Sequence, residues 1–455
     1  MIKRLLIVLA LSALAAGGNA SSTQRSTAPL VLLSIDGLKP DYVIEADKLG
    51  LKIPNLRRLV REGAYAGGVR GVLPTVTYPS HTTMLTGVAP KNHGVFYNTT
   101  FDPLQKNQSG WYWYSEDIRA ETLWNAATRA GLITASVDWP ASVGAPVTFN
   151  IAQYWRTTTE DDHKLLRALS SPGLLAQAER DCGPYPAGDN YTVEADKKRA
   201  DFIVWVLEHK SPRFLTCYFG GLDTDQHSAG PYTAKAYESL EQLDALVGRI
   251  RAAAEKSGGG RAILCVVSDH GFVTTTKELR LNAALKDAGL IELDQRGRVK
   301  SWRASAWGTG GSAALMFQNP SDSEARQKTR ALLERLADNP DNGILRILEA
   351  SEAAGMGGFP NAGFVVAAKP GWQISGNLEG PIVAPLAKPG GTHGYLPELP
   401  EMESSFFIAG PGIPPGNLGR IDMRDIAPTL AGVLGLSLTK SEGKVLLRTD
   451  GATKR

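Results

Sequence analysis

Apolar residues run almost unbroken through "APLVLLSID" at 28–36, too short for a helix and rich in branched side chains, which predicts a strand buried on both faces. Next, Ile53, Leu56, Leu59 and Val60 recur at helical spacing in "IPNLRRLVREG", and Gly63 closes the pattern. The alternation continues with "ETLWNAATRAG" as helix, "LITASVD" as strand, "VEADKKRADFIVWVLEHK" as helix and "RFLTCYFG" as strand. A long helix from about Ala234 to Lys256 precedes the strand "AILCVVSD"; "SSFFIAG" and the helix "IDMRDIAPTLAGVL" follow near the C-terminus. Strands alternating with helices predict an α/β fold, with a mostly parallel central sheet covered by helices on both faces. Residues 155–192 and 289–377 alternate less clearly and are expected to be insertions forming a small cap.

The first twenty residues have Lys3 and Arg4, then an apolar run from Leu5, then small residues ending at Ala20, the anatomy of a secretory signal peptide. The run is shorter than the ~20 apolar residues a membrane span needs, and no later stretch is long and apolar enough. The expected organisation is a signal peptide at 1–20, a polar linker at 21–29, one large α/β domain with insertions at 30–440, with two domains as the alternative, and a tail at 441–455, in a periplasmic or secreted protein. Net charge is only +3, and no Lys/Arg cluster is interleaved with aromatics, so no nucleic-acid-binding face is expected. The three cysteines cannot all pair. Cys217 and Cys265 lie in apolar runs and read as buried free thiols, so a metal site here must be built from His and carboxylates.

Ligand-binding polar groups in parallel sheets collect at the carboxyl ends of strands. Asp36 follows "VLLSI", Asp223 and His227 follow "FLTCYFGGL", and Asp269 and His270 follow "AILCVVS"; Gly37, Gly221 and Gly271 beside them permit tight turns. His393 sits in "GGTHGY" with no helix or strand pattern of its own. Taken singly each has a bland explanation, Asp36 as a helix cap and His393 as a loop histidine. Together, three Asp and three His are ligand types suited to zinc, and two metals sharing them would serve displacement at phosphorus. In "PTVTYPSHTTMLTG" (74–87), Thr75 and Thr77 both stand where an extended stretch gives way to a helix, so either is a nucleophile candidate or a cap.

The motifs "LLSIDGLKPDYV", "PTVTYPSHTTMLTG", "NHGVFYN", "DTDQHSAGP", "VVSDHGF" and "GGTHGY" occur in an order that resembles the nucleotide pyrophosphatase/phosphodiesterase branch of the alkaline phosphatase superfamily. "DIAPTLAGVLGL" is similar to its closing helix, so the resemblance spans about residues 30–435. It implies an alkaline-phosphatase-like fold, two zinc ions and a threonine nucleophile. Asp36, Asp269, His270 and the threonine oxygen would hold one zinc, and Asp223, His227 and His393 the other. The family's nucleophile is a Thr followed by an aromatic residue and Pro, which selects Thr77 over Thr75. Asn98 matches the Asn that donates to a phosphoryl oxygen.

The activity so implied is hydrolysis of phosphodiester or phosphoanhydride bonds in a small-molecule or nucleotide substrate, through a phospho-threonine. Tyr78 matches an aromatic position that helps form a base pocket; Trp139, Tyr154 or Trp155 are candidates for a second wall, with core packing an equal alternative for Trp139, and Trp111–Tyr114 are candidates for core or rim. Ser80 and Thr392 depart from the animal-type pattern, which usually has Asn and Asp there, and neither change removes a ligand. The alternative is a phosphomonoesterase or phosphonate hydrolase, which needs extra cationic groups; Lys39, Lys91 and Arg156 are the candidates. His81 and His93 read as groups bracing the nucleophile motif. His163 and His209 have no evident partner, Asp225 is a weaker ligand candidate, and Asp138 is expected to be a cap or pocket wall.

Overall fold

The computed structural model describes residues 28–107, 110–155, 159–186 and 188–447. The expected signal peptide, most of the linker and Arg156 lie outside them. Eight strands form the central sheet: β1 (Leu30–Ile35), β2 (Ala64–Tyr65), β3 (Thr134–Val137), β4 (Phe149–Ile151), β5 (Phe214–Phe219), β6 (Ile263–Val267), β7 (Phe406–Ala409) and β8 (Gly416–Asn417). Their spatial order is β8-β2-β7-β6-β1-β5-β3-β4. From β6 to β4 every pairing is parallel; β7 joins β6 and β2 antiparallel.

Burial on both faces explains why the central strands read as unbroken apolar runs. Val31, Leu33 and Ile35 of β1 point into one core and Leu30 and Leu32 into the other. Helices α1 (Pro54–Glu62), α2 (Thr77–Thr86), α3 (Leu123–Arg129), α4 (Val193–Lys210), α5 (Gly221–Ala229), α6 (Ala234–Ser257) and α7 (Ile426–Val433) cover the sheet or extend from its end. The apolar residues of α1, α4 and α6 fill the first core, and those of α2, α3 and α7 the second. Cys217 projects into the first core and Cys265 into the second; both are buried free thiols, and Cys182 is also free.

Two regions depart from simple βα alternation. Residues 155–192 contribute the helices Glu160–Leu169 and Leu174–Cys182. Residues 289–377 carry an antiparallel four-stranded sheet, made of Ala304–Gly308, Ser312–Phe317, Phe364–Ala368 and Ile344–Glu349 in that spatial order. This sheet shares an apolar core with a three-stranded sheet in which Val273–Arg280 pairs with Trp372–Ser375 and with Val383–Thr392. Residues 441–447, assigned to a tail from sequence, pack on the main body: Lys444 N–H donates to Asp425 (2.7 Å), Glu442 N–H to the Gly87 carbonyl (2.8 Å), and Leu447 is buried. Among the described residues, no helix is long and apolar enough to cross a membrane.

Candidate active site

The site begins where β1 and β6 end side by side. Asp36 N–H donates to the Phe219 carbonyl at 2.9 Å, continuing the ladder one residue past β1. Gly37 then turns the chain with φ +68°, and its N–H donates to Asp269 Oδ1 (3.1 Å), tying the two strand ends together. Gly271 serves a different purpose from a turn: a Cβ there would lie 2.0 Å from the Glu401 carbonyl oxygen. Asp36, Asp269 and His270 thereby converge, with His270 Nε2 3.3 Å from Asp36 Oδ1 and 3.2 Å from Asp269 Oδ2.

A second group forms beside the first. Asp223 and His227 lie four apart on α5 and share a face, with His227 Nε2 3.4 Å from Asp223 Oδ1. His393 reaches the same carboxylate from across the molecule, its Nε2 3.8 Å from Asp223 Oδ1. His393 lies in a loop, as its sequence suggests, and the strand Val383–Thr392 that directly precedes it sets its position. Prolines, glycines and a register break between Pro385 and Gly390 hide that strand in the sequence. In each group of three, one ligand atom per residue lies within 4.8 Å of the others.

All three imidazoles are oriented from behind by a backbone carbonyl. His227 Nδ1 meets the Gly391 carbonyl (3.0 Å), His270 Nδ1 that of Gly271 (3.2 Å) and His393 Nδ1 that of Thr75 (3.1 Å). Each contact favours the tautomer with the proton on Nδ1, which turns the Nε2 atom toward the carboxylates. Asp36 Oδ2 accepts from the Tyr218 hydroxyl at 2.5 Å, a partner the sequence did not single out because Tyr218 reads as one more strand residue.

Electrostatically, the two groups bring buried carboxylates together. Burial, then the charges of Asp269 and Asp223, push Asp36 well above the ordinary carboxylate range. Burial also raises Asp223 to about 6 and holds His270 and His393 well below the usual histidine range. Asp36 Oδ1, Asp223 Oδ1, Asp269 Oδ2 and His270 Nε2 are buried without a hydrogen-bond partner. Orphaned oxygens beside a neutral imidazole nitrogen are a donor set that fits divalent metal ions.

Thr77 is the first residue of α2, and the cap position belongs to Val76 in extended backbone, so Thr77 is not a simple N-cap. Thr75 is structural: its hydroxyl donates to the Tyr395 carbonyl (2.9 Å), while its own carbonyl accepts from Gly394 N–H (3.0 Å) and faces His393. Asn98 Oδ1 accepts from Tyr78 N–H at 3.0 Å, which fixes the amide beside Thr77. His81 contacts the Thr77 carbonyl (2.8 Å) and the Ser34 hydroxyl (2.8 Å), and lies 3.7 Å from Asp269 Oδ2. His93 Nε2 lies 3.1 Å from the Thr83 hydroxyl and Nδ1 accepts from Val95 N–H, so it braces the far side of the same helix.

Residues 30–396 match the family Type I phosphodiesterase / nucleotide pyrophosphatase. The chain belongs to this family. It is 25% identical over 280 residues to human ectonucleotide pyrophosphatase/phosphodiesterase family member 1, covering 59% of this chain and 26% of that protein. It is 24% identical over 261 residues to venom phosphodiesterase 2 of Crotalus adamanteus, covering 54% and 27%. The matched stretch thus spans about a quarter of the length of these relatives. Murine ectonucleotide pyrophosphatase / phosphodiesterase 5 shares the fold at a TM-score of 0.65 and 19% identity, over 91% of this chain and 97% of that one.

For this family member, several sequence expectations need correction. Of the two readings of Trp139, core packing is the one its burial supports: it is fully buried in the second core, with its ring 4.9 Å from that of His81. Tyr154 is 6% exposed and packs on Trp113, and Tyr78 is fully buried with its hydroxyl on Gln153 (2.6 Å), so neither presents an open face. Lys39 is committed to the Glu401 carbonyl (2.8 Å), and Lys91 to that of Ala354 (3.1 Å). Asp138 is neither cap nor wall: it pairs with buried Arg199 at 2.5 Å. Asp225 binds Lys235 (2.7 Å) and Ser239, away from the ligand groups. His209 does have a partner, stacking on Trp205 and meeting its carbonyl.

Proposed function

We propose that this chain is a zinc-dependent phosphodiesterase acting outside the cytoplasm on small phosphodiesters or phosphoanhydrides. The observation that carries the proposal is the pair of three-residue ligand groups at the sheet end, with orphaned buried atoms facing inward, beside a threonine at a helix start. Asp36, Asp269, His270 and Thr77 would hold one zinc, and Asp223, His227 and His393 the other. When bound, the two ions supply the positive charge that lowers the pKa of a hydroxyl and stabilises a departing oxygen. Family membership and the names of the relatives support this reading, and the apolar leader supports an extracytoplasmic location.

In the first half-reaction Thr77 Oγ1 forms a bond to phosphorus while the bond to the leaving alcohol or phosphate breaks, and the threonine proton ends, by way of solvent, on the leaving oxygen. In the second, a water oxygen bonds to phosphorus as the Oγ1–phosphorus bond breaks, one water proton regenerates the threonine hydroxyl and the phosphate monoester is released. The Asn98 amide N–H group is free to donate to a non-bridging phosphoryl oxygen, because its carbonyl oxygen is the atom engaged by Tyr78. His81, bonded to the Thr77 carbonyl, fixes the start of α2 so that Thr77 does not drift from the ligand groups. No observation favours the monoesterase alternative, since Lys39 and Lys91 are committed to carbonyl oxygens.

The test uses protein lacking residues 1–20, loaded with zinc, and compares kcat/KM for a nitrophenyl phosphate diester and the corresponding monoester. Diester preference that disappears with chelator and with Thr77→Ala is expected. Monoester preference overturns the proposed substrate class, and activity surviving in Thr77→Ala overturns the proposed nucleophile.

A further inference from the structure

Beside Thr77 an aromatic wall is packed shut. The Trp111 and Trp155 rings stack at 4.4 Å with planes 14° apart, and Trp155 stacks on Tyr191 at 4.4 Å and 22°. Trp111 also meets Tyr78, the residue after the nucleophile, at 5.4 Å, while Tyr191 meets Tyr218, which holds Asp36, at 5.6 Å. The wall therefore runs from Tyr78, next to Thr77, to Tyr218, which holds Asp36, and Trp111 contacts both Tyr78 and Trp155.

Neither end of the wall is loose. The Arg199 guanidinium lies over the Tyr191 ring at 4.1 Å and is itself fully buried, paired with Asp138 (2.5 Å) and Asp196 (3.1 Å). At the other end, the Trp111 backbone bridges to Thr99, and Tyr112 N–H donates to the Asn98 carbonyl (3.0 Å). Trp111 is thus registered to the loop that carries Asn98.

A planar base held between two rings needs roughly twice the stacking distance between them, and the rings here are already at single stacking distance. Resting on the phosphodiesterase reading above, we propose that Trp111 is a specificity-determining residue that occupies the stacking slot beside Thr77. The enzyme thereby selects phosphodiesters with small ester groups over nucleotides. A nucleoside enters only by displacing Trp111 from contacts with both Tyr78 and Trp155.

The experiment compares zinc-loaded wild type, Trp111→Ala and Trp111→Phe on two substrates: methyl 4-nitrophenyl phosphate and the 4-nitrophenyl ester of thymidine 5′-monophosphate. Thermal unfolding first establishes that each variant is folded. Wild type is expected to favour the methyl ester, and Trp111→Ala to shift the ratio of the two kcat/KM values at least tenfold toward the nucleotide ester, chiefly through KM. Trp111→Phe, which keeps a smaller ring, is expected to shift it at least threefold the same way. A wild type that prefers the nucleotide ester, or a Trp111→Ala ratio that is unchanged or moves toward the methyl ester, overturns the proposal. Silence on both esters overturns the hydrolase reading instead, and calorimetric binding of adenosine 5′-monophosphate then decides the slot: tighter binding by Trp111→Ala supports occupation by Trp111, and equal or weaker binding refutes it.

Discussion

The imidazoles of His270 and His393 stack face to face, with centroids 3.6 Å apart and planes 10° apart. They belong to different ligand groups, so the two groups share a wall and are built as a pair. Burial keeps both rings neutral, the form that binds metal. If the two groups each hold an ion as proposed, His393→Ala should remove one ligand and lower metal content by about one ion per chain. Elemental analysis after dialysis reads this directly, and an unchanged content of two excludes His393 from the ligand set. The accompanying fall in kcat/KM should be at least a hundredfold.

Asn98 makes two contacts that can be separated. Asn98→Asp keeps the oxygen that accepts from Tyr78 N–H and deletes the amide donor proposed to meet the phosphoryl oxygen. Loss of one such donor typically lowers kcat by about 10²–10³-fold. The variant should show that fall with thermal stability near wild type. Equal losses in stability and in activity would mean that Asn98 only holds the helix start.

Thr75 and Thr77, two residues apart, should respond in opposite ways. Thr75→Val preserves shape but removes the hydroxyl donated to the Tyr395 carbonyl, at a cost of about 1–3 kcal/mol in denaturant unfolding. Its kcat should stay within severalfold of wild type. Thr77→Ala should unfold like wild type and turn over at least a thousandfold more slowly, and mass spectrometry of acid-quenched wild type should find the added phosphate on Thr77.

A pH effect on stability follows from the buried Arg199 cluster. Burial outweighs the Arg199 charge and raises both Asp138 and Asp196 to about 6, above the ordinary carboxylate value. As pH falls from about 6 to 4 the folded protein takes up protons there before the unfolded chain does, so these groups favour folding in acid and that contribution is lost as pH rises through 6. Over that window each is worth on the order of 2 kcal/mol. Asp196→Asn should flatten the dependence of unfolding free energy on pH between 4 and 6 relative to wild type. Parallel curves for the two proteins would refute the assignment.

What the sequence made legible follows from local rules. Apolar runs mark strands buried on both faces, and a ligand directly after such a run, as with Asp36 or Asp269, is placed by the strand itself. Asp223 and His227 were readable as a pair because four residues make one turn of α5. His393 was chemically conspicuous but structurally opaque, since the strand before it contains prolines and glycines that its pairing with Val273–Arg280 overrides. Asp138 was misread, and Trp139 left open between core and pocket wall, for a related reason. A bulky ring or a carboxylate after a strand looks the same in sequence whether it turns toward the pocket or, as Asp138 does at φ +59°, away toward a buried arginine. The stack of Trp111, Trp155 and Tyr191 joins three distant segments, and no local pattern announces it.

The two buried strand thiols also bear on how this chain is made. With the Cys217 and Cys265 side chains projecting into different cores of one sheet, and Cys182 on a third element, the fold holds no covalent cross-link. The described fold therefore does not depend on thiol oxidation or on disulfide reshuffling.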